Sequence, residues 1–105
     1  MDRGELWHGR VPVACVRDVF VSDGTWYATV EGLLAGGRLA EFVAFCVDWN
    51  ERLQRADPPD ATEFDRYPDL IAGGWTFRPS DGSTRTVDQA PVFFPGAEVS
   101  WREPG

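Results

Sequence analysis

The sequence contains no lysine: its ten basic residues are all arginine, set against seventeen acidic ones. That bias is the mark of GC-rich coding and leads us to expect a bacterial source. The net charge of −7 repels phosphate backbones. The arginines offer no compensating patch, because Arg3, Arg10, Arg17, Arg38, Arg52, Arg55, Arg66, Arg78, Arg85 and Arg102 are dispersed. Nucleic acid is therefore not an expected partner.

Histidine is almost as scarce. His8 is the only one, and the two cysteines, Cys15 and Cys46, stand far from each other in the chain. Zinc sites take three or four ligands in recognisable clusters, so no metal or other cofactor is expected. A nucleophilic pair would need His8 beside a thiol and a third group to orient it. No such group stands near Cys15, and His8 reads as a surface or rim residue. Two cysteines so placed make no disulfide framework, and both read as reduced, buried thiols. No apolar run approaches the roughly 18 residues that span a bilayer. The start, Met1-Asp2-Arg3-Gly4-Glu5, lacks the pattern of a secretory leader. The expectation is a cytoplasmic protein without a membrane partner. Repeats, linkers and low-complexity tracts are missing as well, and residues 1–105 read as a single domain.

What is present is a sheet-and-helix pattern. Val19, Val21, Trp26, Ala28 and Val30 flank the turn Ser22-Asp23-Gly24-Thr25, whose Asp-Gly pair supplies the positive φ angles of a two-residue hairpin. That turn sets Phe20 opposite Tyr27 and Val21 opposite Trp26. It puts Cys15, Val19, Val21, Trp26, Ala28 and Val30 on a core face. Val16, Phe20 and Tyr27 fall on the other face, which is half apolar. The run Leu6 to Val21 is too long for one flat strand, and Gly9 and Pro12 are the places where it breaks or bends.

After Gly36-Gly37 a helix is expected from about Arg38 to Arg55. Leu39, Phe42, Val43, Cys46, Trp49 and Leu53 form one stripe at 100° per residue. Asp48 and Arg52 are spaced for an i,i+4 pair. Asn50 falls inside the stripe, where it either bonds a backbone group or lines a pocket. Asp57-Pro58-Pro59 stops the helix. Asp60 then reads as an N-cap with Glu63 completing a capping box, and a short helix through Tyr67 places Phe64 and Tyr67 on one side before Pro68 limits it.

The last third alternates again. Trp75 to Phe77, Thr84 to Val87, Val92 to Phe94, and Glu98 to Arg102 read as sheet, with turns at Pro79-Ser80-Asp81-Gly82 and Pro95-Gly96. A strict Asp81-Gly82 turn would oppose Arg78 to Arg85, so a longer loop is favoured there. The order β-β-α-α-β-β-β predicts an α+β fold: an antiparallel sheet of about five strands with one long amphipathic helix packed on one face.

Three features bear on function. Gly32-Leu33-Leu34-Ala35-Gly36-Gly37-Arg38-Leu39 has the outer glycine spacing of a phosphate loop. Arg38 and Leu39 stand where lysine and a hydroxyl are needed, so only a general attraction of anions to the helix start survives. Asp60, Glu63, Asp65 and Asp69 form an acidic surface suited to a basic protein partner. Cys46, Trp49 and Asn50 are the expected wall of any pocket between helix and sheet. The reading that follows is a non-enzymatic protein-binding module, of inhibitor, immunity or adaptor type. Homodimerisation through the Val16, Phe20 and Tyr27 face is a further expectation. The alternative is a small-molecule-binding domain or minor enzyme.

Overall fold

Gly9, at φ 58°, makes the first turn and splits the long N-terminal apolar run into two paired strands. In the computed structural model, which describes residues 3–57 and 60–104, these are β1 (Arg3–His8) and β2 (Val11–Ser22). The hairpin to β3 (Thr25–Leu33) has the predicted register, Phe20 opposite Tyr27 and Val21 opposite Trp26. Asp23 and Gly24, at φ 50° and 77°, supply its left-handed turn. The helix α1 (Gly37–Gln54) and the short α2 (Pro68–Ile71) follow, with a 3₁₀ helix (Ala61–Arg66) between them. Then come β4 (Trp75–Pro79), β5 (Arg85–Thr86), β6 (Val92–Phe94) and β7 (Glu98–Arg102). The stop predicted at Pro58-Pro59 and the placing of the Phe64 side chain lie outside what is described. Among the described residues no helix is long and apolar enough to cross a membrane.

The fold is α+β with an antiparallel sheet, but the strand count differs from expectation. Among the described residues there are seven strands, not about five, in the order β5-β4-β1-β2-β3-β7-β6. The Gly9 turn creates one more strand, and Val92–Phe94 pairs with β7 as a strand of its own. The Trp75 hairpin takes the longer loop, with Phe77 opposite Arg85 instead of Arg78 opposite Arg85.

The sheet is strongly curled. Phe77 on β4 lies 4.9 Å from the Trp101 ring on β7 and 5.8 Å from Trp26 on β3, although β1 and β2 stand between these strands in the sheet. The segment after β5 closes the gap, since the Asp88 N–H donates to the Arg102 carbonyl at 2.7 Å. Irregular pairings allow the bend: Val13 is the extra residue of β2 against Leu6 and Trp7, Glu31 the extra residue of β3 against Cys15 and Val16, and Asp18–Val19 of β2 stand against Ala28 alone. The extra residue of β2 between Arg17 and Phe20 reverses the expected alternation on its N-terminal side: Val16 is buried in the core, and Cys15 is only half-buried.

The helix consequently does not lie across an open face. Among the strands it rests chiefly on β6, at the sheet edge, and Phe42 packs against the rings of Tyr67 and Trp75. Phe42, Val43 and Cys46 are buried as the stripe predicts, but Leu53 is 50% exposed. That turn closes on Ala56, at φ 55°. The Ala56 and Asp57 amides donate to the Leu53 and Arg52 carbonyls, the arrangement of a Schellman stop.

Candidate functional site

The predicted pocket wall comes together. Cys46, Trp49 and Asn50 project from the second half of α1 and line a cavity of about 240 Å³ with Phe42, Ile71 and Pro91. Asn50 both lines this cavity and bonds backbone: its amide donates to the Cys46 carbonyl at 2.9 Å and to the Phe93 carbonyl at 3.0 Å. Both alternatives read from the sequence therefore hold at once. The chemistry is meagre. Burial pushes the Cys46 thiol up to about 12, so at neutral pH it is protonated and a poor nucleophile. The volume falls below the roughly 300–1,000 Å³ of ordinary ligand sites.

The predicted acidic surface is present but largely engaged within the chain. Asp60 accepts the Thr62 amide at 3.0 Å, which holds its carboxyl below the usual range. The Glu63 carboxylate does not reach back to complete a capping box. It turns to Arg52, 3.3 Å away, which also holds Asp48 at 2.8 Å. Asp69 binds the Arg38 guanidinium, which holds the carboxyl low and also donates to the Arg66 carbonyl at 2.8 Å. Arg38, which stands where a phosphate loop carries lysine, is thus turned towards α2. Asp65 is exposed. The pairings of Glu63 and Asp69 cut the charge that this surface offers to a partner.

His8 is more than a rim residue. Its Nε2 donates to the Gly73 carbonyl at 3.1 Å, and its ring meets Trp75 edge-on at 5.2 Å. Gly74, at φ 86°, carries its backbone past this ring, and a Cβ there would sit 3.1 Å from Nε2. The histidine fastens β1 to the loop before β4. Among the described residues no group of three or more His, Cys, Asp or Glu side chains is placed to hold a metal ion.

The most open apolar feature lies elsewhere, on the outer face of the β2–β3 hairpin. Phe20 and Tyr27, 58% and 38% exposed, stack with ring centroids 5.1 Å apart. With Phe94, Asp18, Gln54 and Glu98 they line a groove of about 520 Å³. The second irregularity of β2 builds one wall. Asp18 sits there at φ 53°, Val19 turns to the core, and Phe20 is left outside. The sequence announced Phe20 and Tyr27 as a cross-strand pair on the less buried face. It held no sign that Phe94 and Glu98 would join them, because that depends on β7 pairing with β3. Comparison of the chain with protein-family models, with curated proteins and with solved structures finds no match in any of the three.

Proposed function

We propose that the protein is a non-enzymatic protein-binding module that docks its partner on the outer face of the β2–β3 hairpin. The observation that carries this reading is the stacked, solvent-open Phe20–Tyr27 pair above a groove of about 520 Å³. Large aromatic side chains left in water at the rim of an apolar groove are typical of recognition surfaces. Aromatic rings also dominate the energy of such interfaces once they are covered. The acidic surface at Asp60, Glu63, Asp65 and Asp69 is a weaker docking candidate, because Arg52 and Arg38 engage Glu63 and Asp69. A homodimer on the hairpin face would bring together two chains of net charge −7, which opposes self-association. The reading as a small-molecule site draws on the cavity at Cys46, Trp49 and Asn50, which is small and holds a protonated thiol, and on the volume of the hairpin groove, which lies within the ordinary range of ligand sites.

Affinity capture from the source organism tests the choice of face. A partner retained by the wild-type protein is expected to be lost with Phe20→Ser/Tyr27→Ser. It should be kept when Asp60, Glu63, Asp65 and Asp69 are changed to their amides. Loss with the amide variant and retention with the hairpin variant would move the interface to the acidic surface. A protein that captures no partner and instead binds a small molecule at Asn50 would sink the reading.

A further inference from the structure

We infer that the groove beside Phe20 and Tyr27 receives an arginine side chain of a partner protein. The inference rests on the hairpin face being the docking surface, and it adds what that surface recognises. Three observations support it.

The first is charge. The groove is lined by two carboxylates, Asp18 and Glu98, and by no basic side chain. Asp18 is paired with Arg17 at 3.0 Å, on the exposed flank of the irregular segment. Glu98 is also exposed; it pairs across the sheet with Thr29 on β3 and Phe94 on β6, and no ion pair is formed by it among the described residues. A carboxylate set among aromatic and apolar groups is the natural counter-charge for an incoming cation, and such pairing favours both specificity and fast association.

The second is ring geometry. The stacked Phe20 and Tyr27 rings, with Phe94 close by, offer π-faces next to that carboxylate. A planar guanidinium can stack on a ring and still bond a carboxylate in its own plane, which a compact ammonium cannot do. This chain uses the same contact internally: Arg78 lies 3.8 Å from the Trp7 ring centroid, Arg85 5.1 Å from Trp26, and Arg38 5.4 Å from Tyr67. Arg85 combines the ring with a carboxylate, donating to Glu103 at 2.8 Å. The groove presents the same two partners with the arginine still to come.

The third is the backbone. The irregularity between Arg17 and Phe20 holds the non-glycine Asp18 at a positive φ, and Asp18 and Phe20 both line the groove. Irregularities of this kind commonly re-aim side chains beside functional sites.

The probe is a defined peptide, acetyl-Leu-Arg-Leu-amide, compared with the same peptide carrying citrulline, the neutral shape analogue of arginine. Binding is read from the aromatic proton resonances of Phe20 and Tyr27 in titrations at low salt. The arginine peptide is expected to shift both sets of signals. The citrulline peptide should bind about tenfold more weakly, and added salt should weaken the arginine peptide alone. Asp18→Asn/Glu98→Gln should reduce the preference for arginine without changing the thermal midpoint, since both side chains are at the surface. Equal binding of the two peptides would overturn the arginine assignment, and so would the absence of any shift at Phe20 and Tyr27. In either of those cases, a captured partner that is still lost with Phe20→Ser/Tyr27→Ser would leave the docking face standing, so the two failures are told apart.

Discussion

At the scale of single residues, two backbone positions show how little space this fold leaves for choice. Gly4 on β1 lies under the Phe77 ring, and a Cβ there would stand 2.6 Å from Phe77 Cε1 and 2.7 Å from the Arg78 carbonyl oxygen. The second of these is backbone from the neighbouring strand and cannot swing aside. Gly4→Ala is therefore expected to lower stability by about 1–3 kcal/mol, the usual cost of forcing extra volume into a packed interface. Equilibrium urea unfolding would measure it, and an unchanged midpoint would show that β1 and β4 can part without loss. Ala56 is the opposite case. It closes α1 in the left-handed region at φ 55°, where a Cβ is strained. Ala56→Gly should raise stability by about 1 kcal/mol, because glycine adopts that conformation without the steric penalty. The same unfolding experiment decides the sign.

At the scale of elements, the most informative contact is the one between α1 and β6. A three-residue strand at the sheet edge leaves one row of backbone groups without a strand partner. The helix covers that edge, and the Asn50 amide supplies the hydrogen bond to the Phe93 carbonyl. Asn50→Leu keeps the size of the side chain but removes the donor. We expect a loss of about 1–3 kcal/mol, the cost of leaving a buried acceptor unsatisfied. Faster amide exchange in β6 and β7 than in β1 and β2 would locate the damage, whereas uniform exchange would argue against this edge role. The polar residue inside an otherwise apolar stripe was legible in the sequence as an exception. Its partner was not, because the carbonyl belongs to a strand 43 positions further along the chain.

At the scale of the whole molecule, closure of the curled sheet concentrates the core on a few aromatic rings. Trp101 is buried and contacts Trp26 and Phe77 at once, so it joins the two arms of the sheet. Trp101→Ala should cost about 3–5 kcal/mol. That is a large part of the total of roughly 5–15 kcal/mol expected of a small domain, and the variant should unfold at markedly lower urea concentration. The acid response follows from Asp60, Asp69 and Asp81, whose carboxyl groups are held below the ordinary 3.8. The main causes are the Thr62 amide for Asp60, the Arg38 guanidinium for Asp69, and the Ser83 hydroxyl for Asp81. Their folded forms bind protons more weakly than the unfolded chain does. The stability they add is thus complete above the unfolded value and drains away as pH falls through and below it. All three are exposed and screened by solvent, so the effect should be a modest decline in thermal midpoint between about pH 5 and pH 3. Asp69→Asn should flatten part of that decline, and an unaltered slope would remove Asp69 from the account.

Elements with local causes could be read from the order of residues alone. Asp23-Gly24 set the register of the β2–β3 hairpin through its turn geometry. The 3.6-residue spacing of Phe42, Val43 and Cys46 set the buried side of α1, and the i,i+4 spacing set the pair of Asp48 and Arg52. The number of strands, the curl of the sheet and the choice of apolar residues left in water emerge from the assembled fold. Those outcomes depend on strand irregularities and on pairings between distant segments, such as β3 with β7 and β1 with β4. An irregularity of one residue reverses every side chain beyond it, and it is decided by the sum of packing on both sides of the strand. For that reason Cys15 and Val16 exchanged faces. Likewise the groove, which draws residues from β2, β3, α1, β6 and β7, is written in no single stretch of the chain.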